Sequence, residues 1–340
     1  MEYKYYNDLY VEFSRFIAEK KLDFLDNDSL LVVSLQDTDR MFVIRKIVKD
    51  DAEGFAVLFG VESMYTLYLL ENAVSQEEQT ALLAGTSYCL LLKQKTDKII
   101  YNIRMFNSAA GIPEEEDRQF FCGYMGKCSE PTFPDETYSL MLTKILSLLN
   151  SATFDESLIK RGFSSDAGVI QVWDRAAWEK IVKKGLDGQL SLAFKLDEKD
   201  KLFLAQLEPK LKLTNLVFEV DYNLIKVADK KNNEPHSEIL VSVLSAKENK
   251  CLYLEDVKDD SDVATDVVKS VISSIVSYKY PYKIICKKNS VYMWLKHICD
   301  SLNIEIEMAE TLVATDALYE RLKGEKDVKL SDGDNDGNLL

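Results

Sequence analysis

Only two histidines, His236 and His297, occur in the 340 residues, and their scarcity removes several chemistries at once. A Ser-His-Asp or Cys-His site would have to use one of them. His236 follows Pro235 in an expected loop, and His297 falls on the polar face of an expected helix, opposite Val291 and Ile298. Neither is placed for a buried catalytic dyad. Glycine is also sparse, at 13 residues, and neither a Walker loop nor a G-x-G-x-x-G turn occurs. Phosphate-cradling nucleotide folds thereby lose their usual support. No stretch approaches the roughly 20 uninterrupted apolar residues of a spanning helix. Met1 to Asp8 also lacks the basic and apolar blocks of a signal peptide, so no membrane association is expected. Basic residues are outnumbered: 42 Lys and Arg stand against 57 Asp and Glu, a net charge of −15. Such a field repels phosphate backbones, which makes nucleic acid an unexpected partner. Three short lysine groups (Lys183-Lys184, Lys210 with Lys212, and Lys287-Lys288) do not reverse that sign and read as solvated surface.

What is present fits a folded protein of two or three units. Hydrophobic residues make up 46% of the chain, ample for more than one core. Six cysteines are scattered at Cys89, Cys122, Cys128, Cys251, Cys286 and Cys299. Four of them sit in strand or helix patterns as small core residues do, which predicts a reducing cytoplasm. Cys122 and Cys128 have the loose spacing C-x5-C with no second ligand pair, so no zinc site is expected.

Residues 1–150 read as an N-terminal α+β domain. Tyr6, Leu9, Tyr10, Phe13, Phe16 and Ile17 form an aromatic and aliphatic stripe at helical spacing. Strand-like runs follow at Leu30 to Leu35, Met41 to Val48 and Phe55 to Phe59, a simple antiparallel meander with turn chemistry between them. Helices are predicted at Glu62 to Asn72 and Gln76 to Leu83, a strand at Tyr88 to Leu92, and a last helix at Glu136 to Leu149 after Pro131 and Pro134. Pro113-Glu114-Glu115-Glu116-Asp117 is the composition of a helix N-terminus, where the dipole favours acids, and not of a metal cluster. Residues 151–212 read as a β-rich connector. Its expected strands are Val169 to Trp173, Leu190 to Leu196 and Lys201 to Leu207, with a helix at Arg175 to Lys183 carrying Trp178.

Residues 213–323 carry the clearest pattern. Val217 to Tyr222, Glu238 to Leu244 and Cys251 to Leu254 are short β-rich runs, the last two joined by the turn-like Lys247-Glu248-Asn249-Lys250. Val263, Val267, Val268, Val271, Ile272, Ile275 and Val276 then recur at helical spacing, with Asp266, Lys269, Ser270, Ser273 and Ser274 on the other face. Strand Tyr282 to Cys286 follows. Asn289-Ser290 supplies N-cap chemistry for a helix burying Val291, Trp294, Leu295, Ile298, Cys299 and Leu302, and Asn303 ends it. Ile304 to Met308 alternates as a half-exposed strand, and Thr311 to Leu322 closes with a helix. This order resembles a ribonuclease-H-like core, and the fold class predicted is therefore α+β and α/β: an antiparallel sheet with helices, then a mixed sheet with flanking helices.

The ribonuclease-H-like resemblance implies metal held on carboxylates at the first strand and after the fourth. Here the first strand offers Glu219 and Asp221, but the fourth runs into Lys287-Lys288-Asn289. Glu255 and Asp256 are the other acids available to a two-metal site, which needs several converging carboxylates. The tail, residues 324–340, is polar and acidic and is expected to be disordered. Within it Asp332, Asp334 and Asp336 with Gly337 match the first half of a calcium loop, yet the chain shown stops at Leu340 before the twelfth position.

The initial amphipathic helix, Phe55-Ala56-Val57-Leu58-Phe59-Gly60, Pro131-x-Phe133-Pro134 before a helix, Pro281-Tyr282-Lys283-Ile284-Ile285 and Leu302-Asn303-Ile304 together resemble an uncharacterised bacterial family built of two domains of unknown function. The likeness runs from about Leu9 to Leu322, and implies fold and little chemistry, without naming site residues. Relatives fused to small zinc-binding modules imply an accessory role, but the cysteine and histidine usage here offers no such module. The function expected is a non-catalytic binding or accessory module with an unidentified protein partner and no cofactor. The alternative is a metal-dependent nuclease or phosphodiesterase using Asp221 with Glu219 or Asp256.

Overall fold

The computed structural model describes residues 3–38, 40–48, 52–60, 63–94, 119–124, 135–188, 199, 202, 215–228, 235–257 and 262–324. Outside these lie the Pro113 to Asp117 helix start, the loop of Pro131 and Pro134, the strand expected at Leu190 to Leu196, and the tail with Asp332, Asp334 and Asp336. Of the strand expected at Lys201 to Leu207 only Leu202 is described, and it is helical. The chain forms two compact units, Met1–Met64 with Thr86–Ile181, and Tyr65–Gly85 with Val182–Leu340.

The first unit opens with α1 (Tyr3–Ala18), a short 3-10 helix (Lys21–Phe24), and the meander β1 (Leu30–Leu35), β2 (Met41–Val48) and β3 (Ala52–Phe59). The next elements in the chain, α2 (Ser63–Glu71) and α3 (Gln76–Ala84), fall almost wholly in the second unit. β4 (Tyr88–Gln94), β5 (Gln119–Tyr124), α4 (Glu136–Ser151), α5 (Glu156–Arg161), β6 (Phe163–Ser165) and β7 (Gly168–Trp173) then complete the first, and α6 (Arg175–Gly188) crosses the boundary. The sheet has the order β5-β4-β3-β2-β1-β7-β6, with every pair antiparallel.

Residues 151–181 are thus not a connector. β7 extends the sheet by pairing its Gly168 to Trp173 with Leu35 to Leu30 of β1, which sequence-local patterns cannot reveal because the partner lies far upstream. The helical stripe of α1 is buried as its period demands: Leu9, Phe13 and Phe16 are fully enclosed, and Phe13 and Phe16 meet Phe55 edge-on with centroids 5.7 and 5.4 Å apart. α4 shares that core through Leu142, Ile145, Leu146 and Leu149. The carbonyls at its C-terminal end are met by the buried Lys21, whose Nζ donates to the oxygens of Leu149, Asn150 and the cap residue Ala152 at 3.1, 2.7 and 3.1 Å.

The second unit is built on β8 (Val217–Ala228), β9 (Pro235–Ser245), β10 (Lys250–Asp256), α7 (Val263–Ser277), β11 (Lys283–Cys286), α8 (Asn289–Ser301), β12 (Glu305–Met308) and α9 (Val313–Gly324). Its sheet order is β10-β9-β8-β11-β12. The first three strands are antiparallel neighbours, and β11 runs parallel to both β8 and β12. This is the mixed, ribonuclease-H-like sheet the element order predicted. α7 packs on β8 and β9 and buries Val263, Val267, Val268, Val271, Ile272 and Ile275, whereas Val276 is half exposed. Ser270 and Ser274, expected on the polar face, are buried as well, and their hydroxyls return to the carbonyls of Val267 and Ser270.

Candidate functional site

β8 is the central strand, paired with β9 along most of its length and with β11 at Val217 to Glu219, and its residues from Val217 to Asn223 are all buried. Two of them, Glu219 and Asp221, are acids, and their spacing of two puts them on one face of the strand. A carboxylate without water must be paired, hydrogen-bonded or neutral. Each of these two is accounted for differently. Glu219 Oε2 accepts the backbone N–H of Thr315 at 2.8 Å, which places it on the first turn of α9, where the helix dipole favours an anion.

Asp221 is met by the residues that follow the fourth strand. Lys288 is 1% exposed, and its Nζ donates to Asp221 Oδ1 at 2.7 Å and to the Tyr222 carbonyl at 2.6 Å. The same ammonium lies 5.0 Å from the centroid of the Tyr222 ring. Lys287 Nζ is 3.7 Å from Asp221 Oδ2, with a closer hydrogen bond to Asp316 Oδ1 on α9 at 2.7 Å. The reading of Lys287-Lys288 as solvated surface is therefore corrected. Both side chains turn inward because carboxylates lie on the neighbouring strand and helix, the buried Asp221 and the partly exposed Asp316, a juxtaposition that the parallel pairing of β8 with β11 helps create.

A third acid enters from the other chain segment. Glu78, on α3, is fully buried and holds two helix N-termini with one carboxylate. Its Oε1 accepts from the backbone N–H and the hydroxyl of Ser290 at 2.7 and 2.6 Å, at the start of α8. Its Oε2 accepts the N–H of Val74 at 2.9 Å, while Ser75 Oγ accepts the Glu78 N–H at 3.1 Å, so the start of α3 is closed by a variant of the capping box. Ser290 Oγ, with its own proton committed to Glu78, accepts from the Tyr222 hydroxyl at 2.9 Å. Asn289, expected to cap α8, instead donates its side-chain amide to the Asn72 carbonyl at 3.0 Å. Glu77, half exposed, sets its Oε1 3.8 Å from Lys287 Nζ and 3.7 Å from Lys288 Nζ.

Charge and burial fix the protonation tendencies. Burial pushes the Asp221 carboxyl above the ordinary aspartate range, and the charge and hydrogen bond of Lys288 oppose that rise. For Asp316 burial acts in the same upward direction but is outweighed by the Lys287 hydrogen bond, the Leu312 amide and both ammonium charges, which together hold it below the ordinary range. Burial favours a neutral Lys287 amine, yet Asp316, Asp221 and Glu77 keep it above the ordinary lysine value. Burial lifts the thiols of Cys286 and Cys299, the latter to about 12, which leaves both as inert core groups.

These opposite shifts make a pH test. A folded-state pKa raised above the unfolded value means the native state binds the proton more tightly, so the stability contributed is full below the unfolded value and lost as pH rises through the folded one. Asp221 is of this kind, with an ordinary value of 3.8, and Asp316 is of the reverse kind. Relative to Asp221→Asn, the wild type is expected to lose stability as pH is raised from 3.8. Relative to Asp316→Asn, it is expected to lose stability as pH falls through the region below 3.8. Urea unfolding of the two variants and the wild type from pH 3 upward reads both slopes.

The remaining candidates do not join this cluster. Asp256 is exposed on the edge strand β10, aligned with Leu240 of β9, which separates it from β8. Glu255, also exposed, accepts from the Tyr253 hydroxyl. Among the described residues, no three His, Cys, Asp or Glu side chains are grouped so as to hold a metal ion. His297 is half-buried on α8, and the His236 side chain lies outside the described ones. Glu78 was missed by the site reading, although Ser75-Gln76-Glu77-Glu78 has the capping-box pattern that flags it as a helix-start residue.

Fold and site together define a ribonuclease-H-like domain in which a lysine, and not a second acid, faces the first-strand aspartate. A family model described as a domain of unknown function, DUF6930, matches residues 204–323. That match lies within the larger segment of the second unit and is narrower than the likeness expected from Leu9 to Leu322. No curated protein matches the chain. Among solved structures the chain is similar to the simian T-cell lymphotropic virus intasome in complex with PP2A regulatory subunit B56 gamma, at 17% identity over 34% of this chain and 39% of that one, with a TM-score of 0.24. It is also similar to the HTLV-2 integrase catalytic core domain in complex with magnesium, in its dimeric form, at 15% identity over 33% of this chain and 67% of that one, with a TM-score of 0.23. At these TM-scores the likenesses bear on neither activity nor partner. No described helix is long and apolar enough to cross a membrane.

Proposed function

We propose that the chain is a non-catalytic binding or accessory module whose ribonuclease-H-like unit serves as a scaffold. The observation that carries this reading is the 2.7 Å contact of Lys288 Nζ with the buried Asp221. Two-metal phosphoryl chemistry needs divalent ions held on converging carboxylates and open to substrate. Here a side-chain cation neutralises the one carboxylate so placed on the first strand, and Lys287 adds a second positive charge that a metal would have to displace. A lysine ammonium delivers charge without a coordination sphere, so it stabilises the aspartate but activates no water. Glu219, the neighbouring acid, is committed to the α9 amide.

The partner proposed is a protein, since the net charge of −15 disfavours phosphate backbones over most of the surface. A cleavage assay with single- and double-stranded DNA and RNA, in Mg²⁺ and in Mn²⁺, tests the reading. The expected result is no turnover above that of the Asp221→Asn variant. Turnover in the wild type that this substitution abolishes would establish the metal-dependent alternative.

A further inference from the structure

We propose that α3 is a displaceable latch over a latent phosphate-binding site at the start of α8, an inference that rests on reading the second unit as a binding module and names its ligand chemistry. An anion already sits there: the Glu78 carboxylate accepts from the Ser290 amide and hydroxyl, the donor pair that a phosphate takes at a helix N-terminus. Beside it, Glu77 Oε1 lies within 3.8 Å of the Lys287 and Lys288 ammonium groups while 48% exposed, so the first turn of α3 stands between solvent and both cations, which are 19% and 1% exposed. These are four donors of the kind that bind phosphate oxygens, filled at present by two carboxylates of the same chain.

A second observation selects the ligand. Asp221 Oδ2 is fully enclosed and receives no hydrogen bond, and it lies 3.7 Å from the same Lys287 ammonium. A buried acceptor in that state favours a ligand that brings a hydrogen. Inorganic phosphate carries an acidic O–H near neutral pH, whereas sulfate, carboxylates and the phosphate monoester dianion do not. Apart from the Glu78 hydrogen bonds that the ligand would replace, the latch has little apolar anchoring. Of the apolar side chains of α3, Ala81 and Leu82 are buried and Leu83 is 38% exposed, while Val74 just before it is 58% exposed. α2, by contrast, buries Met64, Leu67 and Leu69, which puts the hinge at Asn72 to Ser75.

Hydrogen exchange of the full chain with inorganic phosphate, and with sulfate at equal ionic strength, reads the latch directly. Phosphate is expected to speed exchange across 76–84 and slow it at the start of α8, with sulfate doing neither. Calorimetry with inorganic phosphate supplies the second arm. A closed latch discounts affinity by the open fraction, so Glu78→Ala is expected to bind phosphate at least about tenfold more tightly than the wild type. Adding Lys287→Gln is expected to remove that gain. Unchanged exchange at α3, or equal effects of phosphate and sulfate, overturns the proposal, as does a folded Glu78→Ala protein with no gain in affinity. If Glu78→Ala does not fold, the exchange result on the wild type decides alone. Failure here leaves the non-catalytic reading standing, because that reading is decided by the cleavage assay.

Discussion

Lys288→Met lowers the stability of the second unit by about 3–5 kcal/mol, the cost of stranding a buried carboxylate without its cation. The size follows from what remains. Asp221 has no solvent exposure, Lys287 is 3.7 Å from its other oxygen and already bonded to Asp316, and the Tyr222 carbonyl loses its donor too. Breaking a buried pair from one side is expensive, whereas replacing both members by apolar residues is often neutral or stabilising. Asp221→Leu combined with Lys288→Met is therefore expected to be more stable than Lys288→Met alone. Hydrogen exchange of β8 and α8 peptides through a urea series measures the effect in this unit separately from the first. A single substitution that costs under about 1 kcal/mol, the range of an exposed pair, would show that the contact is not the buried ion pair described.

Glu78→Ala is expected to cost about 3 kcal/mol or more, since it orphans the buried amide and hydroxyl of Ser290, each worth about 1–3 kcal/mol when unmet, and also removes the acceptor of the Val74 amide. Glu78→Gln keeps an acceptor oxygen but removes the charge that faces two helix N-termini, so its cost is smaller, about 1 kcal/mol for each dipole. The ordering Ala above Gln above wild type, read from urea midpoints, separates a hydrogen-bonding role from mere space filling. Equal losses for the two variants would contradict it.

The elements were legible because they obey short periods. Val263 to Ile275 and Leu9 to Ile17 carry their buried faces in the spacing of apolar residues, and Val217 to Tyr222 and Glu238 to Leu244 announce strands by β-branched content. Their order was enough to anticipate the mixed sheet. The site was half legible: Glu219 and Asp221 stood out as acids on a core strand, and the lysines after β11 as the wrong charge for metal. That Lys288 is buried was not legible, since its partner is 67 residues upstream and a lysine pair in isolation looks like surface. Glu78 meets Ser290 across 212 residues, and α3 has too weak an apolar face to declare which unit it joins. β7 was recognised as a strand but not as a neighbour of β1, because pairing partners are chosen by the tertiary fold and not by local composition.

The most direct measurement of the central claim is a calorimetric titration of the full chain with Mn²⁺ and with Mg²⁺, repeated on Asp221→Asn. With Lys288 in place as the cation of the site, the wild type is expected to show no saturable heat beyond that of the variant. Saturable binding of either ion that vanishes in Asp221→Asn would mean that the metal displaces the lysine, and would contradict the account.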